Sequence, residues 1–146
     1  MGGGGTLILT GPLWVTGNIT LNGGATIKLD PNYGSNDGII ISNETISISG
    51  GGKATGSGVS GSYLMMLTTS SSTNAISISG GAGAVILYAE NGTVKVSGGA
   101  SLKEVTAYKL NISGGSSVTY ESGLINNNFS SGPSGSWNIN SWQETQ

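Results

Sequence analysis

Ile46-Ser47-Ile48-Ser49-Gly50-Gly51 is the stretch whose reading decides the fold, because the chain repeats it. It returns as Ile76-Ser77-Ile78-Ser79-Gly80-Gly81, and with substitutions as Ile19-Thr20-Leu21-Asn22-Gly23-Gly24, Val94-Lys95-Val96-Ser97-Gly98-Gly99 and Leu110-Asn111-Ile112-Ser113-Gly114-Gly115. A truncated copy reads as Gly4-Gly5 ahead of Thr6-Leu7-Ile8-Leu9. Within each copy apolar and polar residues alternate, the period of a strand with one buried and one wet face. Ile19/Leu21, Ile46/Ile48, Ile76/Ile78, Val94/Val96 and Leu110/Ile112 are expected inside; Thr20, Ser47, Ser77, Lys95 and Asn111 are expected outside.

Working outward from the glycines, the third residue after each pair is Ile8, Ile27, Ala54, Ala84, Leu102 or Val118, which predicts a second inward column. Another class of strand is continuously apolar: Leu13-Trp14-Val15, Ile39-Ile40-Ile41, Leu64-Met65-Met66-Leu67, Val85-Ile86-Leu87-Tyr88 and, more weakly, Val105-Thr106-Ala107-Tyr108. Continuous apolar strands are usually covered on both faces.

Three strand classes recur on each pass, with glycine pairs 19, 27, 30, 18 and 16 residues apart when counted from Gly4. That beat predicts an all-β, single-domain parallel β-helix, or β-solenoid, of about five three-sided rungs. Glycine reaches the positive φ that a corner needs, and the Ser or Asn before it can bond to neighbouring backbone. An antiparallel sandwich is the competitor, but hairpins have no reason to keep one corner and two inward columns through five passes. Right-handed coiling is favoured, since left-handed coils keep a strict hexapeptide beat that is absent here. Residues 1–5 read as a fusion junction or the start of the first rung, 6–122 as rungs, and 123–146 as a C-terminal cap bearing Phe129, Trp137 and Trp142, because a solenoid has to hide its last rung.

The 146 residues include 27 Gly and only 8% charged residues, with net charge −2 and no His. Arg and Cys are also missing, which excludes Cys/His zinc sites, thiol nucleophiles, Ser-His-Asp triads and arginine forks for phosphate. An Arg-free, mildly acidic chain lacks the electrostatic footprint of a nucleic-acid binder. The longest apolar runs, such as Tyr63 to Leu67, are far too short to span a membrane.

Several phrases taken together resemble a known family: Leu13-Trp14-Val15-Thr16-Gly17-Asn18-Ile19-Thr20, Lys28-Leu29-Asp30-Pro31-Asn32-Tyr33-Gly34, Tyr63-Leu64-Met65-Met66-Leu67-Thr68-Thr69, Ala84-Val85-Ile86-Leu87-Tyr88-Ala89, Thr106-Ala107-Tyr108-Lys109-Leu110, and Phe129-Ser130-Ser131-Gly132-Pro133 leading to Trp137 and Trp142. They are similar to the C-terminal β-solenoid region of bacterial PilX-like pilus-assembly and cell-surface proteins of the candidate-phylum type. The similarity covers nearly the whole chain and includes no catalytic signature. It implies an exported, surface- or pilus-associated part without enzymatic activity. It would also imply a pilin-like N-terminal helix, which this sequence does not have.

Candidate sites are few. The loop from Asp30 to Gly38 gathers oxygen donors, making Asp30, Asn32 and Asp37 weak calcium candidates, although Asp, Asn, Pro and Gly are also ordinary turn residues. The acids Asp30, Asp37, Glu44, Glu90, Glu104, Glu121 and Glu144 form no ladder on one face, so a glycosidase-like pair is disfavoured. Trp137, Trp142, Tyr33 and Tyr63 offer stacking faces for sugars, with capping as the plainer role. The continuous face is the best candidate surface, its outward members expected to be Trp14, Ile40, Met65 or Leu67, Ile86 and Tyr88, unless residues 124–146 fold over it. The leading expectation is therefore a non-enzymatic extracellular structural or adhesive module without cofactors, whose partner is a further copy of itself. A carbohydrate-binding or weakly hydrolytic β-helix is the alternative, and an engineered scaffold without activity is a third reading.

Overall fold

In the computed structural model, which describes residues 1–83 and 86–120, thirteen strands run in three parallel stacks. The first stack holds β1 (Thr6–Leu9), β4 (Thr26–Leu29) and β7 (Lys53–Thr55), continued through single bridges at Gly83 to β11 (Ser101–Leu102) and β13 (Ser117–Val118). The second holds β2 (Leu13–Val15), β5 (Gly38–Ser42), β8 (Leu64–Thr68) and the opening halves of β10 (Ile86–Val96) and β12 (Glu104–Ile112). The third holds β3 (Ile19–Leu21), β6 (Ile46–Ile48), β9 (Ile76–Ile78) and the closing halves of β10 and β12. Each strand pairs with its counterpart one pass later, and every pairing is parallel. This nearly closed all-β arrangement is compatible with a parallel β-solenoid. One turn of 3₁₀ helix, Pro31–Tyr33, interrupts it.

The alternating columns fall where the sequence puts them. Ile19, Ile46, Ile76, Val94 and Leu110 lie side by side across the third stack, as do Leu21, Ile48, Ile78, Val96 and Ile112. Between them Thr20, Ser47, Ser77, Lys95 and Asn111 form the outward ladder. The inner members of the apolar columns are wholly buried, a few kcal/mol of hydrophobic stabilisation per side chain.

The glycine corner recurs six times, both residues at positive φ each time, from Gly3 (63°) and Gly4 (75°) to Gly114 (61°) and Gly115 (71°). Glycine is required here for a second reason. A Cβ on Gly98 would stand 2.8 Å from the backbone nitrogen of Gly80, and one on Gly114 2.9 Å from that of Gly98. Each corner is bonded to the next: Gly4 N–H donates to Gly23 O, Gly24 to Gly50, Gly51 to Gly80, Gly81 to Gly98 and Gly99 to Gly114. The register corrects one expectation. The first corner is Gly3-Gly4, not Gly4-Gly5, because Thr6 pairs with Thr26 and Leu7 with Ile27. Leu7, not Ile8, therefore belongs to the inward column, and Ile8 is exposed.

The other two corners vary. Between β2 and β3, β5 and β6, and β8 and β9 the chain loops outward, whereas β10 and β12 run straight through this corner. Only a register shift between Ala89 and Thr93 marks the bend. Buried hydroxyls close the looped versions: Ser42 Oγ donates to Gly17 O at 2.9 Å, and Thr68 Oγ1 donates to Glu44 O. Each also accepts a backbone N–H two residues on, from Glu44 and Ser70.

Candidate functional site

The second stack has the most distinctive outer surface. Its register places Leu13, Ile40, Met66, Leu87 and Val105 in one column. Ile40, Met66 and Leu87 are 0% exposed, so this column faces the core. Trp14, Ile41, Leu67, Tyr88 and Thr106 form the neighbouring outward column, and Ile39, Met65, Ile86 and Glu104 another.

Two expected surface residues are thereby corrected. Ile40 points inward, because it pairs with Leu13 and not with Trp14. Ile86 does lie in an outward column beside Met65, yet it is only 3% exposed and offers no docking area. Trp14, Met65 and Tyr88 do lie outside as expected; Trp14 is 69% exposed, and the other two are half-buried. Leu67, the alternative to Met65, shares the Trp14 column, as does Ile41, which was not singled out from sequence. The indole of Trp14 donates through Nε1 to Asn43 Oδ1 at 2.8 Å, which fixes its orientation across the strand.

The acids of the Asp30 to Gly38 loop bond to backbone N–H groups. Asp30 Oδ1 accepts from Asn32 N at 2.9 Å and so caps the 3₁₀ turn. Asp37 is buried, and its Oδ1 accepts from the backbone N–H of Tyr63 at 2.6 Å, tying this loop to the start of β8. The loop's backbone is held by hydroxyls of the next pass: Ser57 Oγ donates to Gly34 O, and Ser62 Oγ to Asn36 O at 2.8 Å. Asp30 and Asp37 thus serve the local backbone, while Asn32 lies exposed. Among the described residues no three His, Cys, Asp or Glu side chains come together as a metal-binding group.

Tyr33 is also not the sugar platform its type suggested. It is buried beneath the same loop, and its hydroxyl has no hydrogen-bond partner among the described residues. Burial, with a smaller contribution from the charge of Asp30, raises its pKa above the ordinary tyrosine value. Tyr63 is half-buried beside Asp37. Phe129, Trp137 and Trp142, the residues expected to cap the last rung, lie outside the described residues, as do Glu121 and Glu144.

The remaining acids do not converge. Glu44 and Glu90 are exposed, and Glu104 is half-buried at the start of β12. Glu90 sits within the continuous β10. Two hollows lie on the described surface. One is a shallow polar depression bordered by Lys28, Thr55, Ser57, Ser60 and Ser62. The other is an apolar cavity of about 190 Å³ at the coil end that carries β1, β2 and β3, lined by Met1, Leu7, Leu13, Val15, Ile19 and Leu21 among others. No helix among the described residues is long and apolar enough to cross a membrane.

No family model, curated protein or solved structure matches this chain.

Proposed function

We propose that this chain is a non-enzymatic extracellular module, structural or adhesive, belonging to a bacterial cell surface or pilus. In this reading it is a right-handed solenoid of about five three-sided rungs. The observation that carries the proposal is the outer surface of the second stack. There Trp14, Ile41, Leu67 and Tyr88 line up on closely packed parallel strands, while the described acids lie scattered over loops and strands. An ordered apolar column on such a frame suits contact with another macromolecule, and dispersed acids do not suit hydrolysis, which needs two of them across one bond. The phrases that resemble PilX-like surface proteins are in keeping with the same location. The test is immunogold labelling of intact source cells with an antibody against the folded chain. Label on the envelope or on pili is expected; label confined to the cell interior overturns the proposal.

The second reading is glycan binding, favoured by one specific observation. Trp14 is both exposed and held by Asn43, and Tyr88 stands in the same column three strand spacings away, about 14 Å. A glycan array probed with the wild type and with Trp14→Ala decides it. Hits that vanish in the variant would establish sugar recognition, and a blank array removes it.

A further inference from the structure

We propose that copies of this chain stack head to tail, the coil end bearing β12 and β13 of one molecule seating on the end bearing β1, β2 and β3 of the next. The inference rests on the reading of the chain as an assembly module and names its partner, a second copy.

At the leading end Leu7, Leu13, Ile19 and Leu21 surround the 190 Å³ apolar cavity. At the trailing end the same columns close with Val118, Val105, Leu110 and Ile112. Leu110 and Ile112 are 42% and 47% exposed, whereas Ile46, Ile76 and Val94, and Ile48, Ile78 and Val96, in the same two columns, are all at 0%. Among the described residues both ends therefore present the same inward pattern, unfinished, and each is the surface that the other continues. Among the described residues neither β1 nor β2 has a partner on the side away from β4 and β5, and neither β12 nor β13 has one on the side away from β10 and β11.

The backbone bonds also have a direction. At every glycine corner the second glycine donates its N–H to the carbonyl of the first glycine one pass later. The series ends with Gly115 N–H at the trailing end and Gly3 C=O at the leading end, neither with a partner among the described residues. A donor at one end and an acceptor at the other match only when unlike ends meet. Two leading ends brought together would set carbonyl against carbonyl. Because unlike ends join, the contact is heterologous and does not close, so it propagates as a filament.

One residue stands in the way, and its position supports the register. Met1 donates from its amino group to Thr20 O and accepts from Asn22 N at 3.0 Å. In the next pass Ser49 N donates in the same manner to Leu21 O, so Met1 occupies the place that Ile112 of an incoming copy would take. Stacking exchanges those two bonds for a whole strand edge. With Met1 to displace and the edge of a single pass to bond, weak association, about 100 μM, is expected.

The experiment is sedimentation velocity on the full chain, at concentrations up to about 1 mM, with two charge-bearing variants. Leu13→Lys blocks the leading end and Ile112→Lys the trailing end. The wild type should grow with concentration into rods visible by electron microscopy, and each variant alone should stay monomeric. An equimolar mixture should give a dimer and nothing larger, because only the two intact ends can meet. A wild type that stays monomeric overturns the proposal; so does an inert mixture, and so does Ile112→Lys dimerising alone, which would mean that leading ends pair with each other. Circular dichroism checks each variant, and Leu7→Lys replaces Leu13→Lys if the latter does not fold. Labelling and sedimentation fail separately: absent surface label beside a complementing mixture removes the location only, and the converse removes the stacking only.

Discussion

The second and third stacks are built on the same inner wall and turn opposite characters outward. On the third, Thr20, Ser47, Ser77, Lys95 and Asn111 stand in line. On the second, the line is Trp14, Ile41, Leu67, Tyr88 and Thr106. Both are parallel ladders with an inward column of buried aliphatics, so the fold does not require the difference. A column of hydroxyls and a Lys gives water every group it needs. A column of indole, isobutyl and phenol groups withdraws area from water only by packing sideways, and most of its members are half-buried against one another in this way. What the two faces share is stability, and what separates them is the kind of neighbour each accepts.

The largest expected effect tests the shared part. Ile76→Ala empties a fully buried position of the common wall and should cost about 2–5 kcal/mol in urea unfolding. A cost below 1 kcal/mol would mean that the inner column is not a packed core. Next comes the corner that holds both stacks in step. Gly98→Ala adds a Cβ against the Gly80 nitrogen at a φ of 64°, and a loss of about 1–3 kcal/mol is expected. Gly17→Ala, where a Cβ meets nothing within 4 Å, should be neutral in the same assay.

The comparison itself is sharpened by a reciprocal pair. Leu67→Ser on the apolar face should cost about 1 kcal/mol, and Ser77→Val on the polar face should stay within about 0.5 kcal/mol of wild type. If both changes were neutral, the sideways packing of the apolar column would contribute nothing. The smallest effect lies under the loop leading into the second stack. Tyr33→Phe deletes a buried hydroxyl without a partner among the described residues and should leave stability at pH 7 unchanged or raised by up to about 1 kcal/mol. The raised pKa of Tyr33 means that the folded state holds its phenolic proton more tightly than the unfolded chain does. That contribution is intact below the ordinary tyrosine pKa of about 10 and is lost as pH rises through the folded value. Urea midpoints should therefore fall more steeply above pH 10 in wild type than in Tyr33→Phe.

The third stack was legible residue by residue because alternation states its own parity: Ile76-Ser77-Ile78 can face only one way in a coil. The second was not, since a run such as Ile39-Ile40-Ile41 is apolar on either parity, and only pairing with Leu13 turns Ile40 inward. The strand ends mislead further. Ser42 and Thr68 look like surface residues, but they lie inside, bonded to Gly17 and Glu44 carbonyls, so their parity points the wrong way to a reader of sequence. The first corner was displaced by one because four glycines in a row, Gly2 to Gly5, contain three candidate pairs and local sequence does not choose among them. Asp30 and Asp37 were recognisable as oxygen donors, but whether such donors meet a cation or a backbone N–H depends on residues one pass away, here Tyr63.

The glycine corner has one length in all six passes, whereas the other two corners hold everything from a bare bulge to a long loop. It is therefore the seam at which the molecule divides into interchangeable parts. A segment cut between the two glycines of one corner and rejoined between those of another, such as the stretch from Gly24 to Gly50, carries one strand of each stack and ends on the geometry with which it began. Duplicating or deleting such a segment would lengthen or shorten the coil by one pass and leave every side chain facing the way it faced before. Loops outside the seam remain free to differ, so ruler length and surface chemistry can be changed independently.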